Sequence, residues 1–220
     1  MTTPQDRIDT RIPGIALIAS SVVALTAMAH HPTAGGVDFN TFAKNVERVA
    51  AVNQAVHGTM IILVAVLTWT LIAFAMRRGL NRSLVILGLV AWAIGAGGMI
   101  IAGVFNGFVV IDIARRALAS PETSDILGVA LRALSSGVRV IAVIGAIGIS
   151  AAVFLWSADL APTRGPGRWA SVLGLVAGGG PVIALATGMV GLDLAGMTLV
   201  LAVWAVWFLA VGTLMILRKV

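Results

Sequence analysis

The chain lacks cysteine and tyrosine altogether, and it has few charged residues. Without cysteine it forms no disulfide, thiolate metal site or iron–sulfur cluster, and it has no thiol nucleophile. Without tyrosine it has no phenol for acid–base chemistry. Charged residues make up 11% of the chain, against about 25% in soluble domains, so water is not its main solvent.

Long apolar runs take the place of charge, since 59% of the 220 residues are hydrophobic. Each run holds about 20 residues, the length of helix that crosses the hydrocarbon core of a bilayer. The runs cover residues 14–31, 57–76, 84–105, 138–156, 169–190 and 194–217. The sequence therefore predicts one all-α membrane domain over residues 1–220, with six transmembrane helices in contact with the lipid bilayer.

Two of the polar connections are long and have helical periodicity. The apolar residues of 38–56 recur every three or four positions, which predicts an amphipathic helix. It would lie at the membrane surface or over the bundle and continue into the second span. Residues 108–134 are expected to be mostly helical as well. Asp38 is the expected N-cap of the first helix, and Ser124 or Asp125 that of the helix entering the fourth span. Together the two segments predict an outer cap, where a protein or lipid partner would bind.

Glycine and tryptophan positions add expectations about packing. Residues 95–98 of the third span include three glycines, which let helix backbones approach closely. The connection between the fourth and fifth spans, residues 159–168, is rich in proline, glycine and arginine and is expected to be a loop. Trp156 and Trp169 flank this connection, as interfacial anchors would.

The distribution of basic residues predicts the orientation. Six spans place both termini on one side of the membrane, and nine of the fifteen basic residues fall on that side. They are Arg7, Arg11, Arg77, Arg78, Arg82, Arg164, Arg168, Arg218 and Lys219. By the positive-inside tendency both termini are cytoplasmic, in the plasma or inner membrane, and all three histidines face outward. Because basic residues flank the spans, the net charge of +6 predicts no nucleic-acid partner.

A cleaved signal peptide is an alternative for the first span. Residues 15–26 would be its apolar region, and residues 27–29 fit the A-x-A cleavage pattern. Cleavage would make His30 the amino terminus, and with a second histidine it resembles the copper-chelating histidine brace of some monooxygenases and copper carriers. Asp6 and Asp9 argue against a signal peptide, because its first region is normally basic.

The three histidines, His30, His31 and His57, are the main candidate for a chemical centre. His30 and His31 point about 100° apart on a helix, so only one of them is expected to meet His57. Neutral imidazole binds zinc, copper or haem iron, so the expected cofactor is a metal ion or haem. The competing interpretation is interfacial histidines bonded to loop carbonyls, since no two of them have i,i+3 or i,i+4 spacing.

Other polar residues on the same side would complete such a centre. Asn53 lies one helical turn before His57. Asp112 is expected to pair with an arginine three or four positions later. Arg139 is the deepest basic residue, and it would pair with Asp112 or Glu47 or extend towards water.

Residues 178–181, Gly-Gly-Gly-Pro, predict an interruption halfway along the fifth span. Unwound backbone at this depth is typical of transporter binding sites, with Gly179, Gly180 and Pro181 as the binding residues. That architecture expects a matching break in an internal repeat, and the second span has no glycine or proline in its interior. A packing kink is therefore favoured over a solute site.

Three functions follow from the sequence, and no motif assigns an enzyme activity. The favoured one is a structural or accessory membrane bundle with a polar outer cap. The second is a metal- or haem-binding membrane protein that uses the outer-face histidines. The third is a transporter of a small solute or lipid that uses the Gly178–Pro181 break. The absence of charge near the centre of any span lowers the third, because ion-coupled transporters carry ionisable groups there.

Overall fold

The computed structural model describes residues 9–220, and every regular element among them is helical. Arg7 and the rest of the first eight residues lie outside the described part of the chain. The α-helices are α1 (Arg11–Ala29), α2 (Phe39–Arg78), α3 (Ser83–Val104), α4 (Val110–Ala119), α5 (Ser124–Leu160), α6 (Pro166–Ala186) and α7 (Leu194–Ile216). A π-helical turn, Phe105–Val109, joins α3 to α4, and a 3-10 turn, Pro121–Thr123, precedes α5.

Six helical segments are long and apolar enough to cross a membrane, which confirms the predicted six-helix membrane fold. Three of them are much longer than a bilayer requires: α2 has 40 residues, and Ser83–Ala119 and Ser124–Leu160 have 37 each. At 1.5 Å per residue these helices span about 55–60 Å, roughly twice the hydrocarbon thickness. Their excess length extends from one end of the bundle, which we call the histidine end. The other, the arginine end, contains both described chain ends.

The segments predicted to form the outer cap build a three-helix stalk from those extensions. The predicted helices over 38–56 and 108–134 are present, but α2 continues into its span without folding over the bundle. A small apolar cluster from α2 and α4 holds the stalk together: Ala43, Val46, Ala50, Ile111 and Ala114. On its surface the Arg115 Nε donates to Glu47 at 2.8 Å.

The two predicted caps of the stalk helices have different outcomes. The Asp38 side chain accepts a hydrogen bond from the Thr41 backbone N–H at 2.7 Å, which confirms Asp38 as the N-cap of α2. Neither Ser124 nor Asp125 caps α5, because Thr123 occupies the N-cap position and makes no capping hydrogen bond with its side chain. The preceding 3-10 turn moves the start of the helix to Ser124 itself.

The close approach predicted for residues 95–98 is found between α3 and α5. A Cβ atom added to Gly98 would lie 2.9 Å from the Gly145 Cα, and one added to Gly95 would lie 2.9 Å from the Gly145 carbonyl oxygen. Gly97 faces away, with no atom within 4 Å of such a position. Two of the three glycines therefore set the distance between these helices.

Aromatic side chains form the centre of the bundle. The rings of Trp156 and Trp207 stack with centroids 6.1 Å apart, and Phe74 packs edge-on against both. Trp156 is completely buried, so its predicted role as an interfacial anchor is wrong. Its indole N–H donates to the Val85 carbonyl, which satisfies its polar atom inside the bundle. Trp169, which is 72% exposed, is placed where an anchor would be.

The interruption predicted at residues 178–181 is absent, because α6 is helical from Pro166 to Ala186. A Cβ on Gly178 would collide with the Ser150 carbonyl and the Phe154 backbone of α5. Pro181 is buried inside the continuous helix. Gly178 thus serves helix packing. The unwound backbone, on which the predicted solute site depended, does not form.

The arginine end contains a buried ion pair within what was expected to be a loop. Asp159 lies in the last turn of α5, and its side chain is only 3% exposed. Arg78 Nε donates to its carboxylate at 2.8 Å, and Arg82 Nε donates to the second carboxylate oxygen. The pair joins the end of α2 and the start of α3 to α5. The connection that follows is short, since α6 begins at Pro166.

Candidate metal centre at the histidine end

His31 and His57 are in direct contact at the histidine end of the bundle. Their ring centroids are 5.0 Å apart, with an angle of 72° between the ring planes. His31 follows the end of α1, where Pro32 prevents the helix from continuing. His57 lies in α2, at the level where the stalk meets the membrane span. The structure therefore brings together one of the two adjacent histidines and the distant one.

His30 is directed away from this pair. Its exposed ring bonds through Nδ1 to the Thr26 carbonyl at 2.8 Å, on the outer surface of α1. It lines a shallow groove between α1 and α2 together with Ala55 and Thr59. His30 therefore does not take part in a site with His57.

The orientation of His57 is fixed by hydrogen bonds to the backbone. Its Nδ1 lies 2.9 Å from the Asn53 carbonyl oxygen, which only accepts, so Nδ1 carries the proton. The lone pair of the neutral ring is then on Nε2, where it is free to bind a metal ion. The Asn53 amide in turn donates to the Asn106 carbonyl at 2.9 Å. Asn53, predicted to join the centre, thus positions His57.

The π-helical turn lies directly beside His57. Turns of this type interrupt the regular backbone bonding of a helix and are frequent at functional sites. Here Asn53 satisfies the Asn106 carbonyl within the turn. A Cβ atom on Gly107 would collide with the Cβ of His57, so only glycine allows this approach. The turn and the histidine are therefore packed as a unit.

His31 has an unsatisfied polar atom. Its Nδ1 is buried and has no hydrogen-bond partner among residues 9–220. Burial lowers the pKa of His31 below its usual value, because a charged imidazolium is poorly solvated there, and a hydrogen bond with the Pro32 backbone opposes this shift in part. A lowered pKa favours the neutral ring, which is the form that binds metal ions. A buried nitrogen without a partner is the kind of atom that a ligand satisfies.

The histidine pair separates two cavities. The larger, of about 380 Å³, lies on the membrane side and extends to α7. The smaller, of about 190 Å³, lies inside the stalk. His31, His57 and Asn106 line both cavities. Asp193 lines the larger one, but it caps α7 by accepting a hydrogen bond from the Gly196 N–H at 2.8 Å.

The other predicted binding residues are elsewhere. Asp112 pairs with Arg116 at 2.9 Å on the surface of α4, as its spacing indicated. Arg139 is exposed, and Glu47, one of its predicted partners, pairs with Arg115. Gly179, Gly180 and Pro181 lie in α6 and do not line either cavity.

Comparison with protein families, curated proteins and solved structures finds no match to this chain. The histidine site therefore has to be judged on its own chemistry. Within residues 9–220 no three His, Asp or Glu side chains gather as a set that could hold a metal ion. Any metal at the histidine pair needs further ligands of another kind.

Several residues of the site had no signal in the sequence. Met28, Met60, Met99 and Met197 line the larger cavity, each from a different helix. Methionine normally fills apolar cores, and no spacing rule connects residues so far apart. Gly107 also had no such signal, although its contact with His57 decides how closely the π-helical turn approaches α2.

Proposed function

We propose that this chain is a membrane protein that binds a transition-metal ion through His31 and His57. The observation that carries the proposal is the contact of two imidazoles, 5.0 Å apart, at the wall of a cavity. One ring has a buried nitrogen that no described residue satisfies. The other is held by the Asn53 carbonyl with its Nε2 free.

The ring separation favours a metal ion over a haem between the two histidines. With metal–nitrogen bonds of about 2 Å, each ring centre lies about 3 Å from the metal. A tetrahedral angle then places the centres about 5 Å apart, whereas opposite axial ligands of one iron would be about 6 Å apart. The observed 5.0 Å fits the tetrahedral case.

We further propose that the histidine end faces the outside of the plasma or inner membrane and that both termini are cytoplasmic. The basic residues near the arginine end, including Arg77, Arg78 and Arg82, support this orientation by the positive-inside tendency. Reporter fusions at Gly79 and Gly165 should report the cytoplasm, and one at Ser120 should report the outside. A cytoplasmic signal from Ser120 would reverse the orientation.

The metal content of purified protein tests the site. We expect about one metal ion per chain, retained by His30→Ala and lost from His31→Ala and His57→Ala. His30 is the matched control because it is adjacent to His31 and directed away from the cavity. Each variant is checked for folding by its elution profile in detergent. Metal that survives both substitutions would place the centre elsewhere.

A chain that binds no metal would instead be a structural or accessory bundle. The stalk favours this second function, since it exposes apolar side chains beyond the membrane, including Ile126 at 73% and Val129 at 59%. Large apolar residues exposed to water are typical of a contact surface. Substituting Ile126→Ser and Val129→Ser would then impair biological activity without changing metal content.

A further inference from the structure

The larger cavity brings together an unusual share of the methionines of the chain. Four of the eight methionines line it alongside the two imidazoles. They come from four different helices and are Met28 of α1, Met60 of α2, Met99 of α3 and Met197 of α7. Methionine side chains from four helices therefore line the cavity together with His31 and His57.

The four methionines also contribute to the main apolar core, since Met28 belongs to it and Met60, Met99 and Met197 lie partly buried against it. Methionine is flexible and adapts its shape to close gaps between helices. Met215 serves that purpose, since it is completely buried in the core. The cavity, in contrast, keeps a volume of about 380 Å³ despite its four methionines. The cavity is partly open to the surface of the bundle, so a ligand can reach the side chains that line it.

The donor set selects one class of metal ion. Thioether sulfur is a soft ligand that favours monovalent copper, and imidazole is compatible with it. Zinc favours thiolate, imidazole and carboxylate ligands in sets of three or four. The chain has no cysteine, and no such set of His, Asp and Glu exists within residues 9–220.

Charge favours the same ion. The two imidazoles and four thioethers are neutral when they bind a metal ion, and Asp193, which accepts a hydrogen bond from the Gly196 N–H, is the one carboxylate among the described residues that line the cavity. Inserting an ion into an apolar cavity without a compensating anion is unfavourable, and more so for a divalent than for a monovalent ion. With a single carboxylate in its wall, the cavity fits a singly charged cation better than a divalent one.

We propose that the larger cavity is a binding site for one Cu(I) ion, held by His31 and His57 and by one or two thioethers from among its four methionines. The proposal rests on the proposed function, because it uses the same pair of histidines. It adds the identity of the ion and the source of the remaining ligands. Binding involves no change of oxidation state, since the copper enters and leaves as Cu(I).

Competition for Cu(I) against a chromogenic chelator, without oxygen and in detergent, measures the affinity of the full chain. In the test variant all four cavity methionines are replaced by leucine, a change that conserves volume and removes sulfur. The control variant carries Met76→Leu and Met189→Leu, two exposed methionines outside the cavity. We expect the test variant to lose at least about 10-fold in Cu(I) affinity and the control to match the wild type.

A second measurement keeps the proposal testable if the fourfold variant does not fold. X-ray absorption of the Cu(I)-loaded wild type should show sulfur as well as nitrogen scatterers around copper. Among the single variants Met28→Leu, Met60→Leu, Met99→Leu and Met197→Leu, at least one should lower both the sulfur contribution and the affinity.

Each other result overturns the proposal. Copper with nitrogen ligands alone, or a fourfold variant with wild-type affinity, would refute the role of the methionines. Binding of zinc or Cu(II) at His31 and His57 without binding of Cu(I) would refute the copper proposal and leave the proposed function intact. A chain that binds none of the three ions would refute both.

Discussion

Gly107 lies so close to His57 that a methyl group on the glycine would overlap the Cβ of the histidine. The contact joins the π-helical turn to α2 at the level of the two cavities. It places the imidazole ring against a part of the backbone that is already held by Asn53. The position of the proposed ligand thus depends on a residue that has no functional group.

Substituting Gly107→Ala should therefore displace His57 and weaken metal binding. Forcing a side chain into a packed contact costs about 1–3 kcal/mol, part of which appears as a shift of the neighbouring residue. The measurement is metal affinity together with unfolding in detergent. Gly58→Ala is the matched control, because it is adjacent to His57 and its added methyl meets only Phe108 at 3.9 Å. Equal affinities in the two variants would contradict this account.

The ion pairs of Asp159 and Asp112 should differ strongly in their effect on stability. Asp159→Asn leaves Arg78, whose side chain is only 10% exposed, without its charged partner. Breaking a buried pair in this way costs about 3–5 kcal/mol. Asp112→Asn breaks a pair whose side chains are 60% and 71% exposed, which is worth about 0.5 kcal/mol or less.

Thermal unfolding of both variants in the same detergent makes the comparison. We expect a clear loss of stability for Asp159→Asn and almost none for Asp112→Asn. If the two variants unfold like the wild type, the buried pair does not hold the arginine end together.

Adjacent glycines of α3 should respond to the same substitution with opposite signs. Gly98→Ala forces a methyl against the Gly145 Cα at 2.9 Å, so it should destabilise the protein by about 1–3 kcal/mol. Gly97→Ala meets no atom within 4 Å and should be neutral or stabilise by up to about 1 kcal/mol, since alanine favours helix. Unfolding by a denaturing detergent checks both. A stable Gly98→Ala variant would show that α3 and α5 are less tightly packed.

The first turn of α2 should become less protected in acid. The Thr41 backbone N–H holds the pKa of Asp38 below its usual value of about 3.8. Because the pKa of Asp38 is lower in the folded chain than in the unfolded chain, the ionised carboxylate stabilises the cap. This stabilisation is complete above the usual pKa of an aspartate and is lost as the pH falls through the lowered pKa. Amide exchange of residues 39–43, corrected for the intrinsic rate, should therefore accelerate below about pH 4. The control is Asp38→Asn, whose side chain still caps the helix but does not ionise. Its amide exchange rate, corrected for the intrinsic rate, should not increase as the pH falls through this range.

Short-range features of the sequence predict the number of spans and the cap of α2. Lipid offers no hydrogen bonds to backbone, so each apolar run of sufficient length has to form a helix. Asp38 caps α2 through its own neighbour Thr41, which is a contact within four residues. Reliance on the local sequence also explains the error at residues 178–181, where three glycines before a proline were predicted to interrupt the helix. Whether glycines unwind a helix or pack it depends on the neighbouring helix, here α5.

By itself the sequence determined the number of apolar helices long enough to span a membrane and the end of the bundle, opposite the chain ends, at which the histidines lie. The tertiary structure alone decided which histidine meets His57, because the end of α1 at Ala29 turns His31 inward and leaves His30 outside. It also decided that Asp159 is buried and that four distant methionines share one cavity. The spans can be recognised from the sequence because the free energy of transfer into lipid is a property of each residue by itself. The contacts of the histidines, Asp159 and the methionines depend on how helices far apart in the chain pack together.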